Sequence, residues 1–120
     1  MPHLQPEGYE LIERALFLPM VITILNRDLG GIEKSSLKLK HPYIQLINES
    51  LKIAQKDLIE VRKELRKRKI AIHEAERDEA FTLYLFVIDG YEEKHRYFNP
   101  RIREQVSSLL TYYLFAPDSP

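Results

Sequence analysis

Glu92 and His95 are the side chains whose types and spacing most directly suggest metal chemistry. On a helix, a Glu-x-x-His spacing presents a carboxylate and an imidazole to one metal ion of a carboxylate-bridged pair inside a four-helix bundle. Such a site needs a second Glu-x-x-His and inward carboxylates on the other helices, and the sequence contains no second copy. A metal-binding bundle is therefore only the third functional hypothesis, and we predict no metal ligand and no cofactor.

The motifs of common enzyme sites are incomplete in this chain. His73-Glu74 begins like the zinc-protease sequence, but Arg77 stands where the second histidine belongs. The chain has no cysteine, its serines lie outside glycine-flanked nucleophile turns, and Gly30-Gly31 lacks the lysine of a phosphate loop. We predict no catalytic residue and a protein that is not an enzyme.

One segment is locally basic, with six cations and one anion between Arg62 and Lys69. The whole chain balances 18 Lys and Arg against 18 Asp and Glu, so no net field steers it toward nucleic acid. On a helix these cations spread around the cylinder, and a solvated helix end explains them without a ligand. If they bind phosphates, the residues involved are Arg62, Arg66, Lys67, Arg68 and Lys69. We keep a small nucleic-acid-binding regulator as the alternative function.

Aromatic side chains are concentrated in the carboxyl-terminal half. Rings with polar tips suit both the margin of a core and a half-buried protein interface. Self-association, most simply as a symmetric dimer, covers an apolar helix face that the intramolecular core leaves over. The candidate interface residues are Tyr91, Tyr97, Phe98, Tyr112, Tyr113 and Phe115.

Four segments carry the periodicity of helices, and they are residues 7–29, 42–67, 75–97 and 100–115. Pro19 removes a hydrogen bond within the first helix and predicts a kink or break there. Gly30 and Gly31 are expected to end that helix. The second helix has an a/d seam of apolar residues, and Asn99-Pro100 supplies an N-cap and a first-turn proline for the last one.

The stretch from 69 to 98 is ambiguous. Spacings of three and four from Ala80 to Tyr91 favour a helix, whereas residues 81–88 are rich in β-branched and aromatic side chains. Asp89-Gly90 is a strong hairpin signal between alternating strands, but the flanking segments do not alternate well. We therefore predict an all-α four-helix bundle with a kinked first helix. The alternative is an α+β fold with a small sheet at 69–98, which would permit a winged-helix-like nucleic-acid module.

Length and composition support one domain over residues 1–120, with flexible tails at 1–6 and 116–120. The chain has 120 residues, of which 44% are hydrophobic. A chain of this length and hydrophobic content can form a core without disulfides, but it is too short for two domains. The apolar run from Ala15 to Leu25 is shorter than the roughly 20 residues that span a bilayer, so we expect a cytoplasmic protein without membrane contact.

The strings LPMVITILNRD and RDEAFTLYLFVIDGYEEKHRYFNPRIREQV resemble the short YhjD-like proteins of Bacillus-type bacteria. The resemblance covers most of the chain. It implies a bacterial cytoplasmic origin, and it implies no activity, cofactor or catalytic residue. Our functional prediction is thus a non-enzymatic interaction or structural protein that forms a homodimer.

Overall fold

The computed structural model describes residues 4–116, and these form three helices and a three-stranded antiparallel sheet. In chain order the elements are α1 (Pro6–Glu33), α2 (His41–Lys67), β1 (Ile70–Arg77), β2 (Phe81–Ile88), β3 (Tyr91–Phe98) and α3 (Asn99–Phe115). The strands lie in the order β1-β2-β3, so β2 is central and each neighbour along the chain is a neighbour in space. The fold is α+β.

The predicted all-α four-helix bundle is therefore wrong, and so is its third helix at 75–97. The sequence of β2 does not alternate between apolar and polar residues. Its inner side chains are buried and its outer side chains are partly buried, so both faces are largely apolar. A central strand that is apolar on both faces produces the same spacings as a helix. Asp89 and Gly90 both have positive φ angles, 48° and 87°, as the tight turn between β2 and β3 requires. The α+β alternative, with a sheet at 69–98, agrees with the observed strands.

The first two helices form an antiparallel hairpin. Leu25 and Ile47 line one groove near the connecting loop, whereas Arg14 contacts Asp57 further along the pair. The seam predicted for α2 runs from Ile44 to Leu65; it is buried from Ile47 onward, and Ile44 is partly exposed. Two long antiparallel helices do not have the steep crossing and short turn of a DNA-binding helix-turn-helix.

Helix α1 continues through both of its predicted interruptions. It is unbroken at Pro19, and the Thr23 hydroxyl donates to the Pro19 carbonyl at 2.9 Å. It also runs through Gly30 and Gly31 to Glu33, where we had expected an end near Leu29. At neither glycine would a Cβ atom meet another group within 4 Å, so neither position requires glycine. The helix continues through both despite the low helix propensity of glycine.

Side chains from both faces of α1 enter the core. Ile12, Leu18 and Val21 are fully buried although they lie on different sides of the helix. By length and composition, α1 also qualifies as a candidate membrane span, so our argument from a short apolar run was too restrictive. A core helix passes the same test, and the absence of membrane contact stays a prediction.

The sheet has one face toward the helices and one toward solvent. The inner face carries Thr82, Tyr84, Phe86 and Ile88 from β2, all buried. One hydrophobic cluster draws side chains from all six elements. Leu4, within a predicted tail, packs against this cluster, whereas residues 1–3 and 117–120 of those tails lie outside the described part of the chain.

Candidate interaction surface

A polar cluster joins the amino-terminal part of α1 to the inner face of β3. Glu93 accepts a hydrogen bond from the Tyr9 hydroxyl at 2.8 Å, and its Oε1 lies 2.9 Å from His95 Nε2. The His95 ring stacks on Phe86 with 4.2 Å between ring centroids. The hydrogen bond to Glu93 raises the pKa of Tyr9. This cluster fixes how α1 crosses the sheet.

A second cluster joins all three helices. The buried Tyr113 hydroxyl donates to Asp57 Oδ2 at 2.6 Å, and Arg14 Nη2 lies 3.4 Å from the Tyr113 oxygen and 3.5 Å from Asp57. Burial, followed by the hydrogen bond to Asp57, raises the pKa of Tyr113 to about 12. The phenol is a hydrogen-bond donor that links α3 to α2.

Asn99 connects the β1–β2 turn to the start of α3. Its amide donates to the carbonyls of Asp78 and Glu79 at 2.9 and 3.2 Å, and its oxygen accepts from the buried Thr82 hydroxyl at 2.7 Å. The side chain therefore does not cap the helix as predicted, although Pro100 does lie in the first turn. In the turn itself, Asp78 accepts from two backbone amides, which lower its pKa.

The buried tyrosines are unsuited to act as bases or nucleophiles near neutral pH. Burial raises the pKa of Tyr84 and of Tyr97, and a hydrogen bond from Tyr97 to Glu13 adds to the effect. A tyrosine that acts as a base or nucleophile needs a lowered pKa. All the shifts found for tyrosines in the described residues go the other way, so these hydroxyls stay protonated.

The Glu92–His95 pair cannot hold one metal ion. Both residues lie in β3, where side chains three positions apart point to opposite faces. His95 faces α1, whereas Glu92 is on the solvent side opposite Val87. Within residues 4–116, no group of three or more His, Cys, Asp or Glu side chains could hold a metal.

The five predicted phosphate-binding residues are all exposed at the end of α2. Arg68 is engaged with Glu64 at 2.8 Å, four residues earlier. Arg62 lies instead along a groove with Pro19 and Tyr84, on the α1 side of the helix. The others are Arg66, Lys67 and Lys69, and Lys69 has a positive φ of 57° at the turn into β1. The structure does not bring the five onto one face.

The six predicted interface residues divide into two groups. Tyr113 is fully buried and Tyr97 is half-buried, and both are occupied by contacts within the chain. The other four are exposed: Tyr91 to 56%, Phe98 to 50%, Tyr112 to 45% and Phe115 to 74%. Tyr91 and Phe98 mark the two ends of β3. Leu37, Leu39, Tyr43 and Leu46 are further exposed apolar side chains near the helical hairpin's loop.

Both outer strands of the sheet have an unpaired edge within residues 4–116, because only β2 lies between them. The solvent face of β2 consists of Phe81, Leu83, Leu85 and Val87, all partly buried. Long polar side chains of β3 flank this row, and the Arg96 guanidinium lies 4.8 Å from the Phe81 ring centre. The free β3 edge and the exposed aromatic side chains are the candidate interaction surface.

Sequence reasoning missed the polar clusters because their members are far apart in the chain. Tyr9 and Glu93 are separated by 84 positions, and Asp57 and Tyr113 by 56. The inward residues of β3, Glu93, His95 and Tyr97, alternate with polar outward residues, so polarity along the strand did not mark its two faces. A strand assignment would have placed these three on one face.

The described residues define an α+β protein in which a helical hairpin and a third helix pack on one face of an antiparallel meander. The chain matches the model of the YhjD protein family over residues 3–117. It is also 86% identical over 118 residues to the "Uncharacterized protein YhjD" of Bacillus subtilis (strain 168), an alignment covering 98% of each chain. No solved structure matches. The chain belongs to the YhjD family, as the resemblance indicated.

Proposed function

We propose that this protein is a non-enzymatic interaction protein of the bacterial cytoplasm that associates with a second copy of itself. The proposal retains the function predicted from the sequence, with one change. The surface that associates is built on a sheet edge and the exposed aromatic side chains, because the bundle face first considered for it does not exist.

The observation that carries the proposal is the exposure of large aromatic side chains around β3 and α3. Tyr91, Phe98, Tyr112 and Phe115 each have close to half or more of their surface exposed. Single exposed apolar residues are common, but two at the ends of an unpaired edge strand and two more on the following helix favour a protein contact. A symmetric dimer is the commonest way to cover such a surface.

The polar groups of the described residues support a non-enzymatic role. The hydroxyls of Tyr9, Tyr97 and Tyr113 each donate to a carboxylate on another element. Their raised pKa values keep them protonated at neutral pH. They are used to hold the elements together, which leaves no activated base or nucleophile among them.

Sedimentation equilibrium of the purified chain, from about 5 to about 500 µM, tests the proposal. We expect a concentration-dependent dimer. Tyr91→Ser should weaken it, because this variant removes an exposed ring beside the sheet edge. Leu39→Ser changes an apolar residue in the helical hairpin's loop that is exposed to 77%; it is the control and should leave the dimer unchanged.

A chain that stays monomeric over the whole range would contradict the proposal. A dimer that is weakened by Leu39→Ser and not by Tyr91→Ser would move the surface to the hairpin loop. Circular dichroism of each variant checks that the fold is retained.

A further inference from the structure

The β3 strand is the edge of the sheet that is best suited to continue it. Its pairing with β2 is regular from Tyr91 to Phe98. At the other edge, β1 has an irregularity between Glu74 and Glu76, and such bulges interrupt the backbone pattern that an added strand needs. Of the two edge strands within residues 4–116, only β3 therefore offers a partner strand eight regularly spaced residues.

On the solvent face of β3, residues of opposite charge lie at equal distances on either side of Lys94. Glu92, Lys94 and Arg96 lie there, opposite Val87, Leu85 and Leu83 of β2 respectively. All three are exposed, and the two outer ones have opposite charges. The inner face carries Glu93 and His95 in the same order of acid before base.

Two-fold symmetry restricts how β3 can pair with a second β3. Opposite residues of an antiparallel pair point to the same face of the sheet. The two-fold axis must therefore lie midway between the two copies of one residue, which faces itself across the pair. When the two-fold axis lies between the two copies of Lys94, or of His95, all but one of the eight residues of each strand are paired. Other centres give up more of the overlap.

The charges distinguish these two registers. Centred on Lys94, each Glu92 lies opposite the partner's Arg96, and each Glu93 lies opposite the partner's His95. Centred on His95, each Lys94 lies opposite the partner's Arg96, which is unfavourable twice over. The Lys94 register leaves one like-charged pair at its centre, where two long exposed side chains can diverge into solvent.

We propose that two copies of this chain pair through β3 in the antiparallel register centred on Lys94. Two three-stranded sheets then form one sheet of six strands. Main-chain hydrogen bonds supply the contact, and the Glu92–Arg96 pairs select the register. This inference rests on the proposed self-association and assigns its surface.

Charge reversals test the register directly. Glu92→Arg places arginine opposite the partner's Arg96, and Arg96→Glu places glutamate opposite the partner's Glu92. Each reversal changes two attractive pairs into repulsive ones, so we expect either variant alone to raise the dimer dissociation constant at least about tenfold.

Mixing the two variants should restore the dimer. In a mixed pair, the E92R chain presents arginine at both positions and the R96E chain presents glutamate at both, so opposite charges face each other again. The double variant E92R/R96E should also dimerise with itself. Sedimentation of the single, mixed and double samples measures this pattern, which a loss of folding in either variant cannot produce.

The matched control is Glu76→Arg, the same change on the solvent face of the opposite edge strand. It should leave the dimer unchanged. Because Arg96 lies over the Phe81 ring, thermal unfolding of R96E is measured in parallel. If R96E does not fold, Glu92→Arg is compared with Glu92→Gln, and the arginine variant should weaken the dimer more because it alone places like charges opposite each other.

The outcomes separate this inference from the proposed function. A native chain that is monomeric at about 500 µM overturns both. A dimer that persists in E92R and in R96E, or one that Glu76→Arg disrupts instead, overturns the β3 pairing while self-association stands. Weakening by each single variant with recovery in the mixture supports the pairing.

Discussion

At the scale of single residues, buried phenols hold the helices together. The Tyr113 side chain is fully buried and donates to Asp57 across the boundary between α3 and α2. Its neighbour Tyr112 is 45% exposed and packs against it edge to face. Two adjacent residues of one type thus differ completely in their surroundings, which gives a matched pair of substitutions.

Tyr113→Phe should lower the free energy of unfolding by about 1.5–3 kcal/mol, the usual contribution of a hydrogen bond to a charged group. The ring still fills its site, so the loss comes from the hydroxyl alone. Tyr112→Phe should change the free energy by less than about 0.5 kcal/mol. Urea unfolding followed by circular dichroism measures both. Equal effects of the two substitutions would contradict the assigned role.

The same residue predicts a loss of stability at alkaline pH. The pKa of Tyr113 is about 12 in the folded chain and 10.0 in the reference state. The folded state therefore holds this proton more tightly, so its contribution is complete below about pH 10 and is lost as pH rises toward about 12. Over that window native stability should fall, and the difference from Tyr113→Phe in urea unfolding should shrink. A difference that grows with pH would refute this assignment.

Asn99 should be among the most sensitive polar residues. Asn99→Ala removes three side-chain hydrogen bonds and leaves the buried Thr82 hydroxyl without its acceptor, which should cost about 2–3 kcal/mol. In N99A/T82V that unsatisfied hydroxyl is absent, so the double variant should lose about 1 kcal/mol less than the sum of the single losses. Chemical unfolding measures the cycle. If the losses of the two single variants simply add up in the double variant, the Thr82–Asn99 hydrogen bond is contradicted. Asn48→Ala, at an exposed position, is the control.

At the scale of elements, glycine substitution distinguishes the β2–β3 turn from helix α1. Gly90 has a φ of 87°, where a Cβ atom is unfavourable, so Gly90→Ala should lower stability by about 1 kcal/mol. Gly30 lies inside α1 with open space around it, so Gly30→Ala should raise stability by about 0.5–1 kcal/mol. Thermal unfolding measures both. Two effects of the same sign would be inconsistent with a turn at 89–90.

The sequence predicted three of the six elements well, because their patterns are local. The seam from Ile44 to Leu65 identified α2, and Asn99-Pro100 located the start of α3 to within a residue. The sheet was missed because β2 is apolar on both faces and β3 is largely polar, so neither strand shows a clear alternation of apolar and polar residues. The pairing that makes them strands is a tertiary contact.

The candidate site was predicted unevenly for the same reason. The exposed rings of Tyr91, Phe98 and Phe115 were identified from composition, but Tyr113 was assigned to the surface and is buried. Helical spacing alone could not show which face of α3 meets Asp57. The opposite charges of Glu92 and Arg96 on either side of Lys94 became interpretable only when that segment was an edge strand.

At the scale of the whole molecule, the distribution of charge predicts weak contact with nucleic acid. The chain is neutral overall, and the cations at the end of α2 face different directions. Lys63 and Arg68 are also paired with Glu60 and Glu64. Specific phosphate binding requires several cations on one surface, and six such contacts would change affinity roughly a thousandfold between about 50 and 200 mM salt.

We therefore expect duplex DNA and RNA to bind this protein no more tightly than about 100 µM at physiological salt, the weak end of non-specific contact. Fluorescence anisotropy of labelled duplexes measures this. Replacing Arg66, Lys67, Arg68 and Lys69 by alanine should leave the weak signal nearly unchanged, because these side chains do not converge on a common surface. The variant with Lys34, Lys38 and Lys40 replaced, at the other end of the helical hairpin, controls for lost charge. Micromolar binding with a steep salt dependence that is lost in the variant at 66–69 and kept in the variant at Lys34, Lys38 and Lys40 would contradict this prediction. It would show that the basic end of α2 binds phosphates, and the nucleic-acid alternative would then be preferred to self-association.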